Sequence, residues 1–322
     1  MAKIIAVTGA TGTQGGSVAR VLLESGNWKV RAITRNPNGN AAKALAAQGA
    51  EVVAADFNDE ASLVKAFEGV HAIYAMTNFW EPLFTGKSQV ESGIIEEQQA
   101  LLLVKAASRT KTLEHYIWSS IPSSTDLTGG KCAVPHMDYK AKVDQRIRDD
   151  FPDLAAKTTF FYVGFYSSNL AFFPNTKLFE VPGSGKYVLA LPTKPYATIP
   201  VTGHGSVTVG VWARQVLANP EKTLGKYVSV HTEVISFEQM VQAWSEVTGK
   251  PAVFAEITPE GYEQLWGIAG REMAAQMKFG ELVTDWHAHL GKSLVSKEEL
   301  GISPEEAKGF KYAMEQLKAH LI

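Results

Sequence analysis

The chain has 322 residues, 45% of them hydrophobic and 20% charged, with 31 basic against 33 acidic side chains and a formal net charge of −2. That apolar fraction supports a substantial core and excludes disordered, collagen-like and low-complexity classes. The near-neutral balance gives no electrostatic ground for a nucleic-acid or anionic-membrane partner. The lone cysteine, Cys132, excludes an intrachain disulfide and a cysteine-rich zinc cluster, and suits a reducing compartment.

The predicted elements alternate two periods. Short apolar runs at 4–8, 30–34, 52–55, 72–76 and 115–119 are separated by helical patterns. Those patterns carry Val18, Val21 and Leu22, then 41–47, then Leu63, Val64 and Phe67, then about 91–107. Continuous apolar runs between amphipathic helices mark parallel strands buried on both faces, joined by right-handed crossovers. A further helix at 137–149 leads to a sixth strand at 158–163. Prolines and glycines then break the rhythm, with a strand at 187–191 and helices at 207–217, 237–248, 259–266, 271–283 and 304–320. Ser303 is the expected N-cap of the last helix, with Glu305 and Glu306 in its first turn.

The expectation is an α/β protein with a Rossmann-type, doubly wound parallel sheet and a smaller, mainly helical α/β C-terminal domain. Residues 1–160 form the dinucleotide-binding part and 161–322 the substrate or partner part, with some late segments free to return to the sheet. The first residues contain no signal-peptide apolar core, and no stretch reaches the roughly 18 to 20 apolar residues of a membrane span. A cytoplasmic protein is expected, with nuclear access left open.

The strongest motif is Val7-Thr8-Gly9-Ala10-Thr11-Gly12-Thr13-Gln14-Gly15-Gly16, between the first strand and the first helix. Gly9 permits a tight turn, Gly12 lets backbone approach a pyrophosphate, and Gly15 permits close helix–strand packing. The amides and dipole of the helix start then face the phosphates. After the second strand no acidic residue is present to accept from a ribose 2′-hydroxyl. Arg35 stands there instead and could pair a 2′-phosphate, which favours NADP(H) over NAD(H); packing of its stem is the plainer account. Asp56 and Phe57, after the third strand, could contact adenine, although Asp56 could equally cap a helix.

The sequence resembles the NmrA-like family of atypical short-chain dehydrogenases. The resemblance is carried by 7–16, by Thr34-Arg35-Asn36-Pro37, by Met76-Thr77-Asn78-Phe79-Trp80-Glu81 and by His136-Met137-Asp138-Tyr139-Lys140, with further segments at 200–209 and 258–263. It implies an NADP(H)-binding Rossmann fold with a smaller α/β domain. It further implies pyrophosphate contacts by Gly9, Thr11, Gly12, Thr13, Gln14 and Gly15, a 2′-phosphate contact by Arg35, and ribose–nicotinamide contacts by Thr77, Asn78 and Lys140. The chain departs from the resemblance at Asn38-Gly39-Asn40, which lacks a basic cluster.

The tyrosine–lysine pair of ordinary short-chain dehydrogenases is missing. His136, not tyrosine, stands four residues before Lys140, and the neighbouring Tyr139 points about 100° away on a helix. His136 could supply a proton near neutrality, or simply cap the helix start. Ser119 and Ser120 close the fifth strand, where they could orient a substrate or merely satisfy a strand end. Phe79, Trp80, Trp118, Phe165 and Tyr166 follow strand ends and suggest a flat slot for an aromatic molecule, or packing against the C-terminal part. No metal is expected, since His287 and His289 are two apart and face different sides of a predicted helix.

Two functions from different classes remain. One is an NADPH-dependent reductase of an apolar carbonyl, enone or quinone-like small molecule. The other is a non-catalytic NADP(H) sensor that acts through protein partners, and a homo-dimer is left open in either case.

Overall fold

The computed structural model describes residues 2–322. Thirteen strands are formed: β1 (Ile4–Val7), β2 (Lys29–Thr34), β3 (Glu51–Ala54), β4 (Ala72–Ala75), β5 (His115–Ser120), β6 (Thr158–Val163), β7 (Phe179–Val181), β8 (Lys186–Leu191), β9 (Thr198–Val201), β10 (Tyr227–Val230), β11 (Glu233–Ser236), β12 (Ala252–Glu256) and β13 (Leu294–Val295). The helices of the first half are α1 (Thr13–Ser25), α2 (Asn40–Ala47), α3 (Glu60–Ala66), α4 (Trp80–Phe84), α5 (Gln89–Ser108), α6 (Ser124–Leu127) and α7 (Pro135–Asp150). Those of the second half are α8 (Pro152–Ala155), α9 (Asn169–Phe172), α10 (Thr208–Ala218), α11 (Pro220–Thr223), α12 (Phe237–Thr248), α13 (Pro259–Leu282) and α14 (Phe310–Leu317).

Eight strands make one parallel sheet in the order β13-β10-β6-β5-β4-β1-β2-β3. Its first six strands follow the doubly wound order, with the reversal between β1 and β4, where a ligand crevice opens beyond the carboxyl ends. β1 shows why the run is apolar throughout. Ile5 and Val7 pack under α1 and α10 with Val18, Leu22 and Trp212, while Ala6 faces α3, α5 and α7 with Leu63, Leu103 and Ile147. Both faces of the strand are therefore core.

A third core lies outside the sheet. Phe237, Met240 and Trp244 of α12, Met273 and Met277 of α13 and Phe310 of α14 pack with Leu189 and Leu191 of β8 and Ile199 of β9. There β8 pairs parallel to β12 and antiparallel to β7, while β9 pairs antiparallel to β11. The large sheet takes strands from far along the chain: β10 joins β6, and β13 joins β10.

One helix expectation is met and one is corrected. The predicted break between 266 and 271 is present within α13, where the backbone of Gly267 is non-helical at φ 61°. The expected helix at 304–320 shortens to α14, and Ser303 is not its cap. Ser303 instead closes a local turn, accepting the Glu306 amide at 3.3 Å. The cause is tertiary: the Glu233 carboxylate of β11 accepts the Phe310 amide, so the helix starts after Gly309.

Candidate functional site

A cleft of about 680 Å³ runs over the carboxyl ends of the sheet, within the size range of small-molecule sites. Its floor is the turn between β1 and α1. Gly9 holds φ +60°, where a side chain is strained, and a Cβ there would come within 2.5 Å of Met76 Sδ. At Gly15 a Cβ would meet the Thr8 carbonyl oxygen at 2.3 Å, so glycine sets how closely α1 approaches β1. No side chain caps the start of α1, and no acidic residue occupies its first turn. The first amides of α1 and the positive end of its dipole thus face the cleft where Gly9, Thr11, Gly12, Thr13 and Gln14 line it. This uncapped, glycine-rich cradle fits a pyrophosphate.

At one end Arg35, Asp56 and Phe57 line the cleft. Asp56 does not cap α3. It accepts the Asn58 amide at 2.8 Å, and Asp59 caps the helix by accepting from Ala61 and Ser62. Arg35 donates two bonds to Glu81 of α4, at 2.6 and 3.0 Å. That hydrogen bond raises the guanidinium above its ordinary value.

At the centre lies Lys140 of α7. Its ammonium donates to Thr77 Oγ1 at 2.9 Å and pairs with Glu96 Oε1 of α5 at 2.7 Å, while Thr77 Oγ1 donates to the same Glu96 oxygen at 2.9 Å. Glu96 is buried, so Lys140 balances a charge that water does not reach. α5 and α7 pack directly against each other in the fold, and no local spacing announces this pair.

One turn earlier, His136 Nδ1 lies 2.6 Å from Glu272 Oε1 of α13. The His136 amide donates to the same oxygen at 2.8 Å, and the Gln89 side chain donates to the other. A carboxylate at the start of α7 is favoured by the helix dipole as well. Burial pushes the Glu272 carboxyl up, but the His136 ring, the His136 amide and Gln89 outweigh it, and the net shift is downward. Glu272 is therefore a carboxylate that orients an imidazole.

Ser119 accepts the Gln14 side-chain amide at 2.8 Å. Ser119 and Ser120 line the cleft, as do Thr77, Asn78, Phe79, Trp80, Phe165 and Tyr166. Burial pushes the Tyr166 phenol above its ordinary value. Trp118 is corrected: it is fully buried among the helices of the far face, and its indole donates to Asp144 Oδ1 at 2.9 Å. Alternation along β5 explains the difference, since the residue before Ser119 points to the opposite face.

The remaining wall comes from Phe173, Met273, Gln276 and Trp286, which the sequence did not single out. Trp80 sits at their mouth, 5.1 Å from the Phe173 ring and 5.4 Å from His136. His287 lies at the start of a 3₁₀ turn rather than on an α-helix, stacked on His231 at 5.4 Å, and both rings share the Ser229 hydroxyl. Among the described residues no three His, Cys, Asp or Glu side chains gather as a metal site, and no helix is long and apolar enough to cross a membrane.

The model of the NmrA-like family matches residues 1–309. The NmrA-like family domain-containing oxidoreductase cpsB of Aspergillus campestris is 30% identical, the match covering 87% of this chain and 83% of that protein. Among solved structures, the negative transcriptional regulator NmrA in complex with NADP superposes with a TM-score of 0.76 at 24% identity, covering 99% of this chain and 96% of that one. The triphenylmethane reductase of Citrobacter sp., complexed with NADP(H), superposes at 0.68 and 22% identity, covering 97% and 99%. The two structures speak for the fold, and the family match spans the turn, the lysine and the wall alike: the chain belongs to the NmrA-like family.

Proposed function

We propose that the protein binds NADP(H) and reduces an apolar, aromatic carbonyl, enone or quinone-like small molecule. The observation that carries this reading is the apolar recess of the cleft, where Trp80, Phe165, Phe173 and Met273 line it together with Lys140 and His136. The oxidoreductase name of the Aspergillus relative and the NADP(H) complex of the triphenylmethane reductase, whose name implies an aromatic substrate, support it.

The residues would divide the work as follows. The Gly9–Gly15 turn holds the pyrophosphate through backbone amides, Arg35 takes the 2′-phosphate, and Asp56 and Phe57 flank the adenine. Lys140, with Thr77 and Asn78, holds the ribose next to the nicotinamide. When bound, the reduced nicotinamide supplies the hydride that reaches the substrate carbon. His136, oriented through Nδ1 by Glu272, supplies the matching proton to the substrate oxygen, with Ser119 beside that oxygen, and recovers a proton from solvent. The aromatic wall keeps water off the reacting carbon.

The test is NADPH consumption against a panel of quinones, enones and aromatic ketones. Turnover is expected for the wild type, with at least a hundredfold loss in His136→Phe and Lys140→Ala, on the order of a lost general acid. Tight cofactor binding without turnover of any compound would overturn the reductase reading. One observation favours the sensor as the second reading: a histidine held by Glu272 replaces the tyrosine four residues before Lys140. NADP(H)-dependent changes of oligomeric state or protein partner would then be its signature.

A further inference from the structure

Arg35 and Glu81 meet across the adenosine end of the cleft, both partly exposed and both lining it. The bond is a fork: Nη1 to Oε1 at 2.6 Å and Nη2 to Oε2 at 3.0 Å. A guanidinium presents the same two-donor edge to a carboxylate and to a phosphate. Glu81 therefore occupies on Arg35 the end-on edge, one of the two-donor edges that a ribose 2′-phosphate could use. The other residues lining this end, Thr34, Asn36, Asp56 and Asn58, provide no second cation. A phosphate arriving here either draws Arg35 away from Glu81 or takes the remaining Nε side of the guanidinium, and in both cases it meets the Glu81 charge.

The element that carries Glu81 is short. α4 has only five residues, preceded by Asn78, whose side chain accepts the Trp80 amide at 3.1 Å, and followed by Gly86 at φ +95°. The residue beside Glu81 is Trp80, stacked on Phe84 and set edge-on to Phe173 in the recess wall.

We propose that Glu81 is a specificity-determining counter-ion that competes with the 2′-phosphate for Arg35, and that its release loosens α4 and with it the Trp80 wall. Phosphorylated and unphosphorylated cofactors are thereby told apart at the substrate recess as well as at the adenosine. The inference rests on the dinucleotide reading given above. An exposed pair is exchanged at small cost, so Glu81 shifts the preference a few-fold and does not abolish it.

The test measures dissociation constants of NADPH, NADH, 2′,5′-ADP and 5′-ADP for the wild type and Glu81→Gln. Being on the surface, the substitution leaves the fold intact. NADPH and 2′,5′-ADP should bind about three- to fivefold more tightly to Glu81→Gln, on the scale of an exposed ion pair, while NADH and 5′-ADP stay unchanged. Hydrogen exchange over residues 79–86 should be faster in the wild type with NADPH than with NADH, and this difference should vanish in Glu81→Gln. Equal effects on both cofactor classes, or none, would overturn the competition. Identical exchange with the two cofactors would overturn the link to α4. A wild-type chain that binds none of the four compounds would instead remove the dinucleotide reading itself.

Discussion

Lys140 illustrates how a residue can be read correctly while its surroundings stay hidden. Its place beside Thr77 is suggested by the sequence resemblance, but its partner Glu96 lies on another helix and has no local signature. Breaking such a pair leaves a buried carboxylate uncompensated. Lys140→Met should therefore cost about 3 kcal/mol of stability, read from chemical denaturation. Gly15→Ala should cost about 1 to 3 kcal/mol by the same measurement, because its Cβ would meet the Thr8 carbonyl at 2.3 Å, and cofactor binding should weaken with it. Asp144 gives a pH-dependent case. Burial pushes its carboxyl up to about 7, against the lowering effects of Ser120, Trp118, Tyr162 and Arg148. A raised carboxyl binds more protons when folded, so its stabilisation is full below the unfolded value, near 3.9, and is lost as pH rises to about 7. Relative to Asp144→Asn, the wild type should lose about 2 kcal/mol between pH 5.5 and 8. A pH-independent difference between the two proteins would show that Asp144 does not titrate in that window.

Elements were legible wherever a segment's own pattern decides its structure. β6 spans the six expected residues, α12 its twelve, and β2 and α2 begin one residue early. These segments carry strong periodicity or a local stop, such as Gly249 in the left-handed region after α12. α14 was misjudged because its start is set by Glu233, seventy-odd positions away along the chain. The cleft followed the same divide: the glycine turn is local and was evident, whereas Phe173, Met273 and Trp286 reach it only by tertiary packing. Trp118 failed for a strand reason, one residue short of the face that mattered. At this scale the capping box of α12 offers a test. Ser236 Oγ accepts the Gln239 amide at 3.2 Å, and Gln239 Oε1 accepts the Ser236 amide at 2.9 Å. Ser236→Ala should cost about 1 kcal/mol, seen as a lower denaturant midpoint with an unchanged slope.

Across the whole molecule, the cleft is walled by both halves of the chain, since Gly9 and Arg35 face it together with Met273 and Trp286. A ligand held there stabilises only the assembled state. NADPH at about a hundredfold over its dissociation constant should therefore add about 2.7 kcal/mol, visible as a raised thermal midpoint. The late arrival of β10 carries a cost during synthesis. Until Tyr227–Val230 emerge from the ribosome, Thr158–Val163, already paired to β5 on one side, is a sheet margin of six buried-type residues with the backbone bonds of its outer side unmade. Such a margin can recruit another nascent chain as readily as its own continuation. The pairing that completes the sheet is thus a race between elongation and aggregation, and a pause in translation between β6 and β10 should lower soluble yield more than one placed after β13.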